Sequence, residues 1–162
     1  MSLTAEQLED FVQTLARTPE LWERHVRHIE DVRVYAQIWD DDDVNAWVIC
    51  WSEDQDTGFH DHDASAAGIV VIDGQVRDER LRLGSEPSSR VVGPGEVISM
   101  PPEAIHRVLH HGDGPAVTIH AYSPPLTRTG AYRITPDGAL QRESLSFEEE
   151  LKADHDLAPA TA

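Results

Sequence analysis

From about residue 32 onward the chain is a succession of short β-forming runs cut apart by glycine and proline, which confines it to an all-β sandwich or barrel. Asn45–Trp51 is rich in β-formers. Gly68–Ile72 and Val76–Leu83 flank Asp73-Gly74, and an Asp-Gly pair between apolar runs predicts a β-hairpin. Gly93-Pro94-Gly95 turns the chain into Val97–Met100, and Pro101-Pro102 interrupts before Ile105–Leu109 and Ala116–Tyr122. The barrel is expected over about residues 32–143.

Two helices are expected ahead of it, over about residues 4–30. Thr4 and Gln7 have the spacing of a capping box, with Leu3 and Leu8 placed to staple it. Leu8, Phe11, Val12 and Leu15 then share one helical face. Thr18-Pro19 is a second start, and Leu21, Trp22, Val26 and Ile29 make its apolar stripe. His25 and His28 ride on this helix as surface or boundary residues. The acidic run Asp40–Asp43 is a solvated loop, and from about 146 to 162 a short polar helix leads into a frayed tail.

A chain of 162 residues suits one domain with a sizeable core. Thirty acidic residues against thirteen basic ones give a formal charge of −17, a field that repels nucleic acid and anionic lipid. No apolar run is long enough to span a membrane, and the N-terminus has neither a basic start nor an apolar signal core. The single cysteine, Cys50, excludes an internal disulfide and a cysteine-rich zinc knuckle. These features predict a cytoplasmic protein; a monomer or weak homo-oligomer is expected.

The chemistry concentrates in Gly58-Phe59-His60-Asp61-His62-Asp63. On a strand His60 and His62 share one face, within reach of one metal ion, and Asp61 and Asp63 share the other. Gly74 follows, and Gly95 and Pro101 precede a third histidine, His106. This arrangement resembles the two-part signature of the cupins, metal-binding double-stranded β-helix (jelly-roll) barrels, over roughly Gly58 to Tyr122. Two departures stand out. Glu103 occupies a position where many cupins have glycine, and Ala66 or Ala67 occupies that of a fourth, carboxylate ligand. The resemblance therefore implies a mainly β single domain with a short helical N-terminal segment and a site of three neutral imidazoles.

Three segments narrow the resemblance to the cysteine dioxygenase family of thiol dioxygenases. They are Cys50-Trp51 ahead of the histidine pair, Ile105-His106-Arg107-Val108, and Thr118-Ile119-His120-Ala121-Tyr122-Ser123-Pro124-Pro125, with Thr118 replacing the family's serine. The resemblance implies one Fe(II) per chain on His60, His62 and His106. The partners it implies are a small thiol and dioxygen, and the product is a sulfinic acid. Imidazole ligands also suit zinc or nickel. On a strand Thr118, His120 and Tyr122 face one way, so a hydroxyl–imidazole–phenol relay ending on Tyr122 is implied as catalytic.

Family members acting on cysteine grip its carboxylate with an arginine from a strand before the histidine pair. Aligning Tyr35-Ala36-Gln37 with that segment puts Gln37 at the arginine position, as in members acting on 3-mercaptopropionate. Free cysteine is then not expected to be the best substrate. Arg33 or Arg128 are the alternative cations. Animal members also bond the tyrosine to a cysteine five residues after the second histidine. That position is Ala67 here, and Cys50 lies ten residues before His60, roughly 30 Å along an extended strand. No cross-link is expected. Two other classes stay open: a zinc hydrolase or isomerase, and a non-catalytic cupin that binds a small anion.

Overall fold

The computed structural model describes residues 1–82 and 84–152. Its strands form two antiparallel sheets. The first, in spatial order, is β1 (Val34–Asp40), β2 (Asn45–Trp51), β9 (Ala116–Ser123), β4 (Ala66–Asp73) and β7 (Val97–Met100). The second is β11 (Leu140–Ser146), β10 (Arg128–Ile134), β3 (His60–Asp61), β8 (His106–His111), β5 (Gln75–Arg80) and β6 (Ser88–Val92). Two facing sheets behind a helical segment are the mainly β, double-stranded β-helix architecture expected. Among the described residues no helix is long and apolar enough to cross a membrane.

Side-chain alternation divides the interior into two layers. On β2, Trp47, Ile49 and Trp51 point between the sheets, whereas Ala46, Val48 and Cys50 point to the other side. There they meet α1 (Ala5–Ala16) through Leu8, Val12 and Leu15, all buried. Both faces of β2 are thus covered, which is why its sequence is a continuous apolar run. The capping box forms as expected, with Gln7 N donating to Thr4 Oγ1 at 3.2 Å and Thr4 N to Gln7 Oε1 at 2.9 Å. The helix lies so close to β4 that a Cβ on Gly68 would stand 2.9 Å from that of Leu8.

Asp73-Gly74 does not make a hairpin. β4 pairs with β7 and β9, and β5 with β6 and β8, so the turn carries the chain from one sheet to the other. Gly74 has φ +67°, and a Cβ there would meet the Pro115 carbonyl oxygen at 2.4 Å. The same turn chemistry serves a corner as well as a hairpin, and pairing partners across the sandwich decide which. β5 ends at Arg80, and Leu83 lies outside the described residues.

The second helix is also shorter than expected. α2 (Pro19–Trp22) passes into a 3-10 turn over Glu23–His25, and Val26 is already extended with ψ 115°. Trp22 Nε1 donates to the Leu15 carbonyl at 3.1 Å, which ties the segment to the end of α1. Beyond it Ile29 is exposed, so the last residue of the expected stripe has no core to enter. Thr18 bonds back to the Thr14 carbonyl instead of capping. At the other end Phe147–Lys152 form α3, the short polar helix expected there, while the tail after Lys152 lies outside the described residues.

Candidate metal centre and active site

β3 is two residues long, yet it sets the whole site. It pairs on one side with β8, His60 opposite His106, and on the other with β10, His60 opposite Ala131. His62 follows directly. The three imidazoles converge in the space between the sheets, with ring centroids 4.6 to 5.0 Å apart and ligand atoms all within 4.8 Å of one another. All three residues are buried.

The nitrogens fit a metal ion. His106 Nε2 and His62 Nε2 stand 3.4 Å apart. Two nitrogens held about 2.0–2.1 Å from one ion in tetrahedral arrangement lie roughly 3.3–3.4 Å from each other. His60 Nδ1 is 3.1 Å from the Gly58 carbonyl and His106 Nδ1 is 2.8 Å from Asp78 Oδ1, which turns the Nε2 atoms of both rings toward the centre. Burial holds His62 well below its ordinary pKa and pulls His106 down to about 4, against the raising effect of Asp78. Both are neutral near pH 7 and ready to ligate.

Asp78 on β5 was not foreseen from sequence. Burial pushes its pKa up, but the hydrogen bond from His106 and the charge of Arg80 prevail and hold the carboxyl below its usual range. Arg80 Nε donates to its other oxygen at 3.0 Å. An ionised Asp78 fixes the His106 tautomer and raises the basicity of the ligating nitrogen. Asp78→Asn keeps the shape and removes the charge, and is expected to weaken metal binding about 10- to 100-fold. Competition with a chromogenic chelator measures it, and unchanged affinity counts against the role.

The opposite face of β3 is clamped from outside. Arg142 Nε and Nη2 donate to the two carboxylate oxygens of Asp61 at 2.7 and 2.9 Å, and the Tyr132 hydroxyl donates to the same carboxylate at 2.6 Å. Burial would raise the Asp61 pKa, but Arg142 and Tyr132 bring it to about 2. Arg142 reaches β3 by lying across Gly130: a Cβ there would be 2.2 Å from Arg142 Nε. That close passage explains a glycine in mid-strand.

The inward face of β9 carries the second part of the site. Thr118 Oγ1 is 2.9 Å from His120 Nε2, and His120 Nδ1 is 3.2 Å from Tyr122 Oη. All three are buried, and the Tyr122 ring centroid is 4.9 Å from that of His62. The relay geometry expected from sequence is therefore present, and it ends beside the three histidines. Trp51 extends it by donating from Nε1 to Thr118 Oγ1 at 2.9 Å, a contact that only the β2–β9 register reveals.

Comparison with known proteins places this arrangement. The cysteine dioxygenase type I family profile matches residues 3–134. The chain belongs to this family. It is accordingly an oxidoreductase of the thiol dioxygenase class. It is 24% identical to cysteine dioxygenase type 1 of Danio rerio over 138 residues, covering 77% of this chain and 68% of the relative. With the Homo sapiens protein of the same name identity is 21% over 142 residues, covering 80% and 70%. A cupin superfamily protein from Desulfitobacterium hafniense superposes with a TM-score of 0.54 at 11% identity, covering 64% of this chain and 87% of that one. A protein with a double-stranded β-helix domain from Klebsiella pneumoniae gives a TM-score of 0.55 at 17% identity, covering 63% and 80%. Both structural likenesses concern the fold.

Arg33 is the one arginine among the described residues that line the cavity. It is 7% exposed and lines the cavity that holds His60, His62 and Tyr122. Its guanidinium carbon lies 5.1 Å from the Trp51 ring centroid, and Nη2 donates to the Asp56 carbonyl at 2.7 Å. Gln37 is exposed on β1 and is not among the described lining residues. Arg128 is exposed and bonds to Ser144 Oγ. Arg33 immediately precedes β1 and is buried, whereas Gln37 lies on the strand itself and is exposed.

The expected absence of a cross-link acquires a different physical basis. Ala67, the position of the family's cysteine, pairs directly with Tyr122 across β4 and β9. Cys50 is not distant along the sheet, because β2 is the neighbour of β9 and Cys50 pairs with Val117. What separates it from Tyr122 is the face: Cys50 packs with the α1 layer and Tyr122 between the sheets. Intact mass after aerobic turnover is expected to show no loss of two hydrogens. A Cys50–Tyr122 peptide pair would overturn this.

Proposed function

We propose that the protein is an iron-dependent dioxygenase that converts a small carboxylate-bearing thiol to its sulfinic acid. The observation that carries this reading is the junction of two units in one buried cavity, three converging histidines and a hydroxyl–imidazole–phenol chain whose phenol lies against a ligand. A zinc hydrolase or isomerase, or an anion-binding cupin, would have no evident need for the second unit. The reaction is RSH + O2 → RSO2H: both oxygen atoms add to sulfur, which is oxidised as dioxygen is reduced. Fe(II) bound by His60, His62 and His106 would supply a Lewis acid for the thiolate and a redox centre for dioxygen.

The remaining roles belong to side chains. Arg33 offers a buried positive charge to a carboxylate, and its planar fork suits that group. Tyr122 holds a proton next to the reacting atoms, with its position set by His120. Ile49, Trp51, Leu126 and Phe147 supply apolar walls that exclude water. The cavity is small, about 20 Å³, close to the room one water needs. A thiol of a few heavy atoms is the size class this favours, and even that requires the walls to yield.

The test is elemental analysis of protein purified without chelator, then oxygen-electrode assays of the iron-loaded form. Cysteine, 3-mercaptopropionate and cysteamine are the thiols to compare. One dioxygen consumed per thiol, with product mass raised by two oxygens, is expected for a carboxylate-bearing thiol. Absence of thiol-dependent oxygen uptake by iron-loaded protein would defeat the reading.

A further inference from the structure

We propose that Thr129 is a substrate-contacting, specificity-determining residue whose hydroxyl donates to the carboxylate of the bound thiol beside the Arg33 guanidinium. The starting point is a buried polar atom with no partner. Thr129 is 1% exposed, lines the cavity beside His60 and His62, and its Oγ1 has no hydrogen-bond partner among the described residues. A buried hydroxyl without a partner is costly, and valine has the same shape without that cost. Threonine at this position therefore points to a ligand that satisfies it.

The register aims the side chain. On β10, Gly130 is opposite Asp61 and Ala131 is opposite His60. Asp61 and Gly130 belong to the outer face, where Arg142 crosses, so Thr129 and Ala131 lie on the inner face with His60. Thr129 is displaced from Ala131 by one inward position, in the direction of His62. It stands where a molecule occupying the metal centre would extend into the cavity.

The chemistry of the other walls selects the carboxylate. Besides Trp51, whose Nε1 donates to Thr118, the polar residues that line the cavity are His60 and His62 of the metal centre, His120 and Tyr122 bonded to each other, Thr57, Arg33 and Thr129. The Thr57 hydroxyl already donates to the Gly58 carbonyl and accepts from Val108 N. Arg33 is the arginine of the described lining and Thr129 its hydroxyl without a partner; His62 Nδ1 is also unpartnered but belongs to a ring of the metal centre. A ligand whose sulfur sits at the histidines has its other polar end left for these two, and an anionic oxygen pair suits a guanidinium and a hydroxyl together.

This assignment rests on the thiol dioxygenase reading for the identity of the ligand, so the test separates the two. Anaerobic calorimetry of 3-mercaptopropionate and of cysteamine, which lacks a carboxylate, is performed on the iron-loaded wild type, Thr129→Val and Thr129→Ser. Thr129→Val is expected to weaken 3-mercaptopropionate roughly 10- to 100-fold, the range for a hydrogen bond to a charged group, and to leave cysteamine unchanged. Thr129→Ser is expected to restore binding to within a few-fold of the wild type. Equal binding of 3-mercaptopropionate by the valine variant overturns the assignment and leaves the hydroxyl to a water. Equal weakening of both thiols, failure of serine to restore, loss of iron in the valine variant, or no saturable binding by the wild type also overturns it. Binding in the expected order without oxygen uptake would sustain Thr129 and defeat the dioxygenase.

Discussion

His106→Ala is expected to leave the protein without stoichiometric metal. Structural metal sites release roughly 10–16 kcal/mol on four ligands, about 2.5–4 kcal/mol per ligand, so one imidazole fewer weakens binding by about 10²–10³-fold. Among the described residues Asp61 points outward to Arg142, Ala67 occupies an inward position of β4, and Asp78, the carboxylate that borders the vacated position, is held by Arg80. Asp78 keeps Arg80 at 3.0 Å after the substitution, so the carboxylate is not stranded and the fold is expected to persist. Inductively coupled plasma analysis of chelator-free preparations, with circular dichroism as the folding control, decides the matter. Full metal content in a folded His106→Ala protein would mean that the metal sits elsewhere.

Much of this site was legible because strand periodicity of two is a strong local rule. It put His60 with His62 and Thr118 with His120 and Tyr122, and the structure keeps both groupings on inward faces. The third histidine, His106, came from a resemblance in spacing and stands opposite His60 in the sheet. Local rules also gave the capping box of α1 and the apolar run of β2.

The residues that escaped notice depend on which strands become neighbours. Asp78 bonds His106 because β5 pairs with β8, and Trp51 bonds Thr118 because β2 pairs with β9. Neither pairing follows from a single chain segment. The Asp73-Gly74 turn shows the same dependence: the dipeptide sets the local bend, and the partner strands set whether the bend stays in one sheet. Gln37 and Arg33 show the limit from another side. Gln37 lies on the edge strand β1 and is exposed, whereas Arg33, just before the strand, lines the cavity, a difference in position that residue type alone does not reveal.

Tyr122→Phe is expected to retain metal and to oxidise thiol about 10²-fold more slowly, the effect of losing one positioned proton donor. The direction of the hydrogen bonds supports this. Trp51 Nε1 can only donate, so Thr118 Oγ1 accepts from it. The Thr118 proton then has one described acceptor, His120 Nε2, which places the imidazole proton on Nδ1 facing Tyr122. The reverse tautomer would give Thr118 two donors and leave its own buried proton without an acceptor. Burial keeps His120 neutral, well below its ordinary pKa, so the ring passes on orientation and no charge. Tyr122 Oη accepts from His120, which sets the orientation of the phenol beside His62. Thr118→Val breaks the chain one step earlier and is expected to cost less, because the phenol remains. Single-turnover rates of the iron-loaded variants, with iron content measured on the same samples, distinguish the roles: unchanged turnover in Tyr122→Phe would reduce this residue to a packing neighbour of Trp47 and Phe147.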